Sequence, residues 1–597
     1  MKFSDYLVNF LEEKGFTHSF GITGGGAMHL NDSFGRSKKI RSIFTHHEQS
    51  ASMAAESYFR EVSKPSILSV TSGPGGTNSI TGVTGAWIDS IPMFVISGQV
   101  ETHHTINKTK TRQIGIQEIN IIDLIKKITK KSFFLKNLNE IDKKLEDLYQ
   151  SMLGGRPGPV WLDVPLDLQK ALIKKKKFIS QKKRINKNIN LDNFFKLINS
   201  SKKPIILAGN GIHISKSEKE FSLFKNKLKI PIITTWNASD LINSKDKYHI
   251  GRMGIFGDRA ANLAAENSDL IISLGSRMSI PIIGYKTKKF SENSQKILVD
   301  IDKHELNKNL LSNVSMKINL CLSSFFQNVN NHKKINKIKV KKKWLNLTSD
   351  WKNKFSINKE KSHIASLKKT KHINSFVFIN ELSKACNGNE TIVTDMGTSF
   401  TCTMQTFQIK NNTSQRLYTS SGLAAMGFGL PGAIGSAIAN PKKNIICITG
   451  DGGLMFNIQE FQTIKSYNLP IKIFILQNKG YLTMKLMQKK NFNLYVGSGK
   501  KTGVSFPDFK KISFSYGIKY IKLKNKNLKS QLKKIIDLKS NIIVEVEMDE
   551  FQQLVPRLQN KMLKNGDFIV PKFDDLFPHI NEKKLNIERN KADNLKK

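Results

Sequence analysis

Two stretches decide the fold of this chain: Asn444–Gly452, which reads NIICITGDG, and Ile471–Asn478, which reads IKIFILQN. Each stretch contains a mostly apolar run rich in β-branched residues, which is typical of a strand buried on both faces of a sheet. Each run then stops at polar or glycine residues. Strands of this kind that alternate with helical segments predict an α/β fold built on a doubly wound parallel sheet.

Asp451 and Asn478 stand just past the ends of these two strands. Ligands of doubly wound sheets bind at the carboxyl edge, so we expect both side chains to face one site. A carboxylate, an amide oxygen and one backbone carbonyl suit Mg²⁺ completed by diphosphate oxygens. Gly450 and Gly452 would let the backbone approach those phosphates at the start of a helix. The alternative is a tight turn followed by an unrelated loop asparagine.

The same rhythm of strands and helices occurs twice earlier in the chain. One set of strands includes Ser66–Val70 and Val160–Pro165, and a second includes Pro204–Ala208 and Leu270–Leu274. The sequence therefore predicts three doubly wound parallel-sheet domains. We expect domains over residues 1–172, 190–330 and 373–558, an irregular tail over 559–597, and charged connectors at about 170–190 and 330–372.

The charge of the chain is strongly basic: 95 Lys and Arg stand against 48 Asp and Glu, for a net charge of +47 over 597 residues. The lysines are scattered, and the densest runs fall where connectors and termini are expected, at Lys174–Lys177, Lys333–Lys343 and Lys596-Lys597. Nucleic-acid binding usually concentrates arginine, aromatic residues or one basic helix face. We therefore expect a solvated surface that attracts anionic metabolites and no nucleic-acid partner, with a polyanion-binding protein as the alternative.

Cysteine usage and apolar runs indicate the compartment. The four cysteines have no CxxC or zinc-like spacing, which excludes a disulfide scaffold or zinc finger and indicates a reducing environment. The longest apolar window, Gly422–Ala439, holds five glycines and a proline, so we expect a close-packed soluble segment there. The start of the chain has no apolar signal region. The prediction is a cytoplasmic protein without membrane contact.

An ordered series of motifs gives the chain a family resemblance over about residues 1–555. The chain resembles the thiamine-diphosphate enzymes of the acetohydroxyacid (acetolactate) synthase family. The motifs that carry the resemblance are His47-Glu48-Gln49, Thr71–Asn78, Asp89–Pro92, Gln117-Glu118, Gly155–Val160, Gly275-Ser276-Arg277, Asp300-Ile301-Asp302, Gly422–Gly435 and Gly450–Asn478. The resemblance implies a pyrimidine-binding, a central and a diphosphate-binding domain.

The resemblance also implies an assembly. In this family the site forms between the first domain of one subunit and the third domain of another. We therefore expect a homodimer or homotetramer, and a regulatory small subunit is a partner that the family allows.

The resemblance assigns roles to residues of the first domain. Glu48 matches the essential glutamate that hydrogen-bonds the aminopyrimidine ring of the cofactor, and the alternative is a solvated carboxylate at a helix start. Gln117 matches a glutamine that faces the reacting centre, and the alternative is an exposed loop amide. Gly25 and Asn78 lie on loops that we expect to face the cofactor.

The resemblance assigns a second group of residues to the third domain. Met426 matches the apolar residue that wedges the cofactor into its bent shape, and otherwise it is a core methionine. Asp451, Asn478 and the carbonyl of Gly480 match the Mg²⁺ ligands. The cofactor-binding glycines expected here are Gly422, Gly450, Gly452 and Gly453.

The central domain resembles one that binds FAD. Arg156, Arg277, Asp300 and Asp302 fall on matching positions. Central domains of this family can also lose the flavin, so thiamine diphosphate and Mg²⁺ are the expected cofactors and FAD is left open.

The chain departs from typical synthases at the positions that shape the acceptor. No tryptophan follows Asn478 within Lys479–Gln488, Ile116 stands where a phenylalanine precedes the glutamine, and Met278–Ile282 lacks the acidic family pattern. At these positions the chain is more similar to synthase-like enzymes of surface-polysaccharide pathways.

The predicted function is a carboligase that decarboxylates pyruvate and transfers a two-carbon hydroxyethyl unit to a second keto acceptor. Acetolactate formation, as in branched-chain amino acid biosynthesis, is the family default. The alternatives are transfer to a keto sugar, a decarboxylase or oxidase of the same superfamily, and a catalytically silent protein.

Overall fold

Three parallel sheets of six strands follow one another along the chain, which confirms the predicted fold class. The computed structural model describes residues 1–106, 109–174, 189–360, 372–562 and 568–595. Parallel neighbours need long crossover connections, and the helices between strands provide them. The carboxyl ends of each sheet therefore gather the loops that follow the strands.

The first sheet has the strand order β2-β1-β3-β4-β6-β5. Its inner strands β3 and β4 are buried along their whole length, as their apolar sequences predict. The strands are β1 (His18–Gly21), β2 (Arg41–Phe44), β3 (Ser66–Val70), β4 (Met93–Gln99), β5 (Lys131–Phe134) and β6 (Val160–Pro165). The helices are α1 (Phe3–Glu13), α2 (Met28–Arg36), α3 (Glu48–Val62), α4 (Pro74–Ile88), α5 (Ile121–Ile125), α6 (Ile141–Leu153) and α7 (Leu166–Lys170).

The central sheet has a different order, β12-β11-β10-β7-β8-β9. This is the order of the dinucleotide-binding fold, in which the direction of winding reverses between the first and fourth strands. The strands are β7 (Pro204–Ala208), β8 (Ile232–Thr234), β9 (His249–Arg252), β10 (Leu270–Leu274), β11 (Gln295–Asp300) and β12 (Val314–Asn319). The helices are α8 (Asp192–Ser200), α9 (Gly211–Ile214), α10 (Glu218–Leu228), α11 (Arg259–Glu266), α12 (Ile280–Ile283), α13 (Lys303–Asn307), α14 (Leu322–Asn331) and α15 (Lys342–Lys354).

The third sheet, β14-β13-β15-β16-β18-β17, repeats the strand order of the first. The strands are β13 (Glu390–Thr394), β14 (Arg416–Tyr418), β15 (Asn444–Gly450), β16 (Ile471–Gln477), β17 (Lys519–Lys522) and β18 (Ile542–Glu547). The helices are α16 (Ser375–Ala385), α17 (Thr398–Thr406), α18 (Gly429–Ala439), α19 (Asp451–Leu454), α20 (Glu460–Ser466), α21 (Leu482–Phe492), α22 (Phe509–Ser515) and α23 (Leu528–Asp537).

The first and third domains pack through helices α3 and α18. A Cβ atom on Gly435 would lie 2.1 Å from the carbonyl oxygen of Ala54, so only glycine permits this approach. The Ser57 hydroxyl donates to the Gly432 carbonyl at 2.6 Å. Helix α18 forms the part from Gly429 onward of the apolar run Gly422–Ala439, which the sequence predicts to be close-packed, and residues Gly429–Ile438 are buried. Within the described ranges, no helix combines the length and apolarity that crossing a membrane would require.

The segment after α14 corrects the sequence prediction of a basic connector. A 3-10 turn over Lys333–Lys337 and helix α15 occupy it. Trp344 and Trp351 of α15 are fully buried and pack edge to face with ring centroids 5.6 Å apart. Most of the lysine run thus lies on the 3-10 turn and the loop before α15, and only Lys342 and Lys343 belong to the docked helix. The other two lysine runs lie almost wholly outside the described residues.

The tail is also more ordered than the sequence predicts. It forms a short hairpin, β19 (Lys561–Met562) with β20 (Phe568–Ile569), and ends in helix α24 (Glu582–Asp593). The Trp351 indole donates to Glu588 of α24 at 2.9 Å, and Arg259 donates to the Leu576 carbonyl at 2.7 Å. The tail therefore returns from the third domain to the central one. Periodicity fails here because α24 is polar around most of its circumference.

Candidate active site

The edge of the third sheet brings Asp451 and Asn478 together. Strands β15 and β16 pair in parallel with Gly450 opposite Leu476, so both strands end at the same level. The Asp451 carboxylate is buried and accepts from the backbone N–H groups of Gly452 at 2.8 Å, Asn478 at 3.1 Å and Gly480 at 3.3 Å. One carboxylate therefore organises the whole loop that carries the other two expected metal ligands.

The electrostatics of this loop favour a cation. Burial raises the pKa of Asp451 to about 7, although the backbone N–H groups act in the opposite direction. The side-chain oxygen of Asn478 is buried without a hydrogen-bond partner. Such an orphaned acceptor is costly unless something donates to it or coordinates it. The carboxylate, this amide oxygen and the Gly480 carbonyl are the hard oxygen donors that Mg²⁺ prefers.

Glycines keep this edge open on one side and tight on the other. A Cβ atom on Gly450 would meet nothing within 4 Å, so the space above the strand end is free. A Cβ atom on Gly480 would lie 2.2 Å from the Ser498 carbonyl oxygen, so the loop approaches its neighbour as only glycine allows. Gly452 and Gly453 lie in the first turn of α19. The arrangement leaves room for a diphosphate beside the oxygen donors.

The edge of the first sheet gathers the residues predicted to bind the pyrimidine. Glu48 is the first residue of α3 and is largely buried, and the Asn78 amide donates to its carboxylate at 3.1 Å. His47 caps the helix by accepting from the Gln49 N–H at 3.1 Å. The cap and the amide fix the direction of the Glu48 side chain.

Gln117 and Gly25 lie on loops at the same edge. A Cβ atom on Gly73 would lie 2.5 Å from the Gln117 carbonyl oxygen, so the Gln117 backbone rests on the turn that begins helix α4. Asn78 lies inside α4, which corrects the prediction that it lies on a loop. The Gln117 side chain is exposed. Gly25 begins a 3-10 turn, and nothing stands within 4 Å of its Cβ direction. Gly25, Glu48, Asn78 and Gln117 therefore share one face of the first domain.

Met426 is half-buried on a segment tied to both domains. The next residue, Gly427, donates to the Asp395 carboxylate at 3.0 Å and accepts from the Asn457 amide at 2.8 Å. The Asn457 amide oxygen accepts in turn from the Ser50 hydroxyl at 2.8 Å, two residues after Glu48 in α3. Asp395 is a supporting residue that sequence reasoning left without a role, although it follows a buried strand just as Asp451 does.

Gly422 faces a different space from the other expected cofactor residues. A Cβ atom on Gly422 would lie 2.4 Å from the Asp89 carboxylate and 3.1 Å from the Arg277 guanidinium. Gly422 lines a cleft of about 1140 Å³ between the three domains. The cleft opens where the winding of the central sheet reverses, between β7 and β10, which is the ligand position of this fold.

Three residues of the predicted flavin set line that cleft, namely Arg156, Arg277 and Asp300, whereas Asp302 contacts it only through Arg156. Arg156 donates to the Ser90 hydroxyl at 2.8 Å and pairs with Asp302 at 3.2 Å and Glu305 at 2.9 Å. Arg277 pairs with Asp89 at 3.3 Å. Burial raises the pKa of Asp300 to about 6. Glu305 had no sequence signal, because a helix carboxylate facing an arginine across a domain boundary has no local pattern.

The expected functional residues of the two edges make no polar contact with one another within the described ranges. Across the described part of the chain, no hydrogen bond or ion pair joins Glu48, Asn78 or Gln117 to Asp451 or Asn478. One chain therefore presents a pyrimidine-type edge and a diphosphate-type edge separately.

Family models match all three domains. The N-terminal TPP binding domain of thiamine pyrophosphate enzymes matches residues 1–124, the central domain of these enzymes matches 191–322, and their C-terminal TPP binding domain matches 395–546. The fold and both edges thus define a thiamine-diphosphate-dependent enzyme. The matched C-terminal region contains Asp451, Asn478 and Gly480.

The relatives narrow the class. The probable acetolactate synthase large subunit of Methanococcus aeolicus is 32% identical, covering 98% of this chain and 97% of the relative. The acetolactate synthase large subunit of Cyanidium caldarium is 31% identical over 90% and 92%, and isozyme 1 of Escherichia coli (strain K12) is 29% identical over 93% and 95%. The chain belongs to the acetolactate synthase large-subunit family. The predicted family, enzyme class and thiamine diphosphate cofactor are thereby confirmed.

Proposed function

We propose that this enzyme decarboxylates pyruvate and transfers the two-carbon hydroxyethyl unit to a second keto acceptor. The observation that carries the proposal is the pair of sheet edges. On the edge of the first sheet, the Asn78 amide orients the Glu48 carboxylate. On the edge of the third sheet, the buried Asn478 amide oxygen lies beside Asp451 without a hydrogen-bond partner. The names of the relatives, acetolactate synthases, support the reaction type.

The metal site of the proposal consists of Asp451, Asn478 and the Gly480 carbonyl. They would hold Mg²⁺, and the ion would tie the diphosphate of the cofactor to the third sheet. Bound thiamine diphosphate supplies the carbon nucleophile and the electron sink for decarboxylation. The residues of the chain would position the cofactor and control the proton transfers.

Glu48 would exchange a proton with the aminopyrimidine ring through its carboxylate. Asn78 holds that carboxylate at 3.1 Å, so the proton-accepting oxygen has a fixed direction. Met426 would support the bent cofactor from the third domain, and Gln117 would reach the substrate from the exposed loop.

The proposed assembly is a homodimer or homotetramer in which each site combines the two edges from different chains. Large apolar side chains remain exposed near both edges, including Met28, Ile116 and Phe456. Burying such residues between copies would stabilise the pair. Relatives named "large subunit" support a regulatory small subunit as a further partner. Light scattering of the purified protein tests the oligomer.

The central cleft is the proposed site of FAD. Its position at the strand-order reversal and the arginines at its wall suit an anionic dinucleotide. Flavin absorbance of the purified protein, and its loss in Arg277→Ala, test the assignment.

A keto sugar is the second candidate acceptor. Helix α21, directly after the metal loop, carries no tryptophan, and Met278–Ile282 carries no acidic residue. These two departures from typical synthases are the observations that favour a different acceptor.

Product analysis by mass spectrometry discriminates between the acceptors. Pyruvate alone should yield acetolactate if the family default holds, whereas a branched sugar should form only when a keto sugar is supplied. Carbon dioxide and acetaldehyde without any ligation product would indicate a decarboxylase and contradict the carboligase.

The cytoplasm is the proposed compartment. All four cysteines are free thiols, and three of them are buried, as expected in a reducing environment. Cell fractionation with an antibody tests this placement.

A further inference from the structure

Lys485 is a buried lysine beside the proposed metal loop. It lies in the second turn of α21, and its side chain is 7% exposed. The aliphatic chain folds back over the loop, because its Cε would lie 2.5 Å from a Cβ on Gly480 and 3.2 Å from one on Gly499. Gly480 and Gly499 face each other in an isolated antiparallel bridge. The Lys485 side chain therefore packs across two backbone segments that come this close only because glycine stands at positions 480 and 499.

All three donors of the ammonium group have an acceptor. The Lys485 Nζ donates to the carbonyl oxygen of Asn478 at 3.4 Å and of Lys479 at 3.2 Å, and it pairs with Glu550 at 3.5 Å. A buried cation is expensive unless it is paired and hydrogen-bonded, which is the case for Lys485. The two carbonyls belong to the residues between the Asn478 side chain and the Gly480 carbonyl.

We propose that Lys485 is a positioning residue for the metal site. By holding the two carbonyls of the loop, its ammonium group turns the Asn478 amide oxygen and the Gly480 carbonyl toward Asp451. Glu550, which follows strand β18, anchors the ammonium from the other side. The inference rests on the proposed function of this edge, since it needs the metal that Asp451 and Asn478 would hold.

Positioning and simple charge repulsion predict opposite effects. A cation close to Mg²⁺ repels it, so removing the charge alone would tighten metal binding. Removing the hydrogen bonds that hold the loop would instead weaken metal binding, because the donors lose their fixed arrangement. The sign of the change therefore separates the two roles.

The experiment is a titration of Mg²⁺ into the full-length protein with thiamine diphosphate present, followed by calorimetry. Mn²⁺ with electron paramagnetic resonance gives a second readout that does not depend on turnover. Lys485→Met keeps the bulk of the side chain and should weaken metal binding by about tenfold, or about 1.4 kcal/mol. Lys489→Met is the matched control, since Lys489 is an exposed lysine one turn further along α21. The control should bind as the unmodified protein does.

Glu550→Gln is the second variant. It leaves Lys485 in place and keeps an acceptor oxygen but removes the negative charge that pairs with Lys485 and with Lys479, so a smaller loss of about threefold is expected. Unchanged or tighter metal binding in both folded variants overturns the proposal. If Lys485→Met fails to fold, Glu550→Gln alone decides.

The two hypotheses fail in different ways. Absence of Mg²⁺ binding by the unmodified protein would contradict the metal assignment itself. Normal binding without a ligation product would contradict only the reaction. A drop in melting temperature with unchanged metal affinity would identify Lys485 as merely structural.

Discussion

The first and third domains share one strand order, yet their carboxyl edges differ in character. The first edge holds Glu48 with an amide partner, on a face where Asn78 and Gln117 remain exposed. The third edge holds a buried Asp451 and an amide oxygen without a partner. The same topology thus provides two different half-sites. The residues just past the strand ends decide the chemistry, and the sheet decides only where those residues meet.

The largest expected effect tests the first edge. Glu48→Gln should lower kcat with pyruvate by at least about 10²-fold, because the amide cannot exchange a proton with the cofactor. Thiamine diphosphate should still bind, as near-ultraviolet circular dichroism would report. Glu140→Gln, an exposed glutamate at a helix start, is the control. Full turnover in Glu48→Gln would contradict the role of Glu48 in proton exchange at the edge of the first sheet.

The next effect tests the third edge. Asp451→Ala should weaken Mg²⁺-dependent binding of thiamine diphosphate by more than about tenfold, because it removes a ligand and the acceptor for three loop N–H groups. Calorimetry with and without Mg²⁺ measures the change. Asp350→Ala, on the exposed face of α15, should leave binding unaltered. Equal affinity of Asp451→Ala and the unmodified protein for thiamine diphosphate would contradict a metal site at the edge of the third sheet.

A third variant weakens the contact between the two domains. Gly435→Ala forces a Cβ against the Ala54 carbonyl, so it should cost about 1–3 kcal/mol of stability. Thermal melting measures this loss. Gly35→Ala is the control, because nothing stands within 4 Å of its Cβ direction, and it should stabilise its helix slightly. A Gly435→Ala protein as stable as the original would show that α3 and α18 separate without cost.

The smallest effect is the part of the pH dependence of stability that comes from the first sheet. Burial raises the pKa of Asp163 to about 7 from 3.8, so the folded protein keeps a proton there that the unfolded chain releases. Stability should therefore fall as the pH rises from about 4 to about 7. Asp163→Asn should flatten this slope by a few degrees in melting temperature. A slope as steep in Asp163→Asn as in the unmodified protein would assign the titration to other buried carboxyls, such as Asp451 and Asp300.

Sequence reasoning recovered the parts of the molecule that depend on local pattern. Buried strands such as Ile471–Gln477 are recognised as apolar runs, and the polar residues after them indicate the carboxyl edge of the sheet. The family resemblance supplied Glu48, Met426 and Gln117, none of which composition alone distinguishes. Each strand pattern and each family motif consists of a few consecutive residues, so both can be recognised in the sequence.

The remaining features depend on contacts between distant segments. Lys485 is one of many lysines, and its burial follows from Gly480, Gly499 and Glu550, which no period in the sequence connects. The docking of α15 was missed for a similar reason. Its lysines suggested a linker, while Trp344 and Trp351 gave the helix a narrow apolar face.

The returning tail has a practical consequence for anyone who handles this protein. Phe573 packs on Phe290 with ring centroids 5.1 Å apart, and α24 covers Trp351 through Glu588. Cutting the chain after Gln559 would leave these aromatic surfaces facing solvent, which promotes aggregation. An expression clone that ends at Gln559 would then precipitate for reasons unrelated to catalysis, so the residues after Gln559 belong in any clone used for purification.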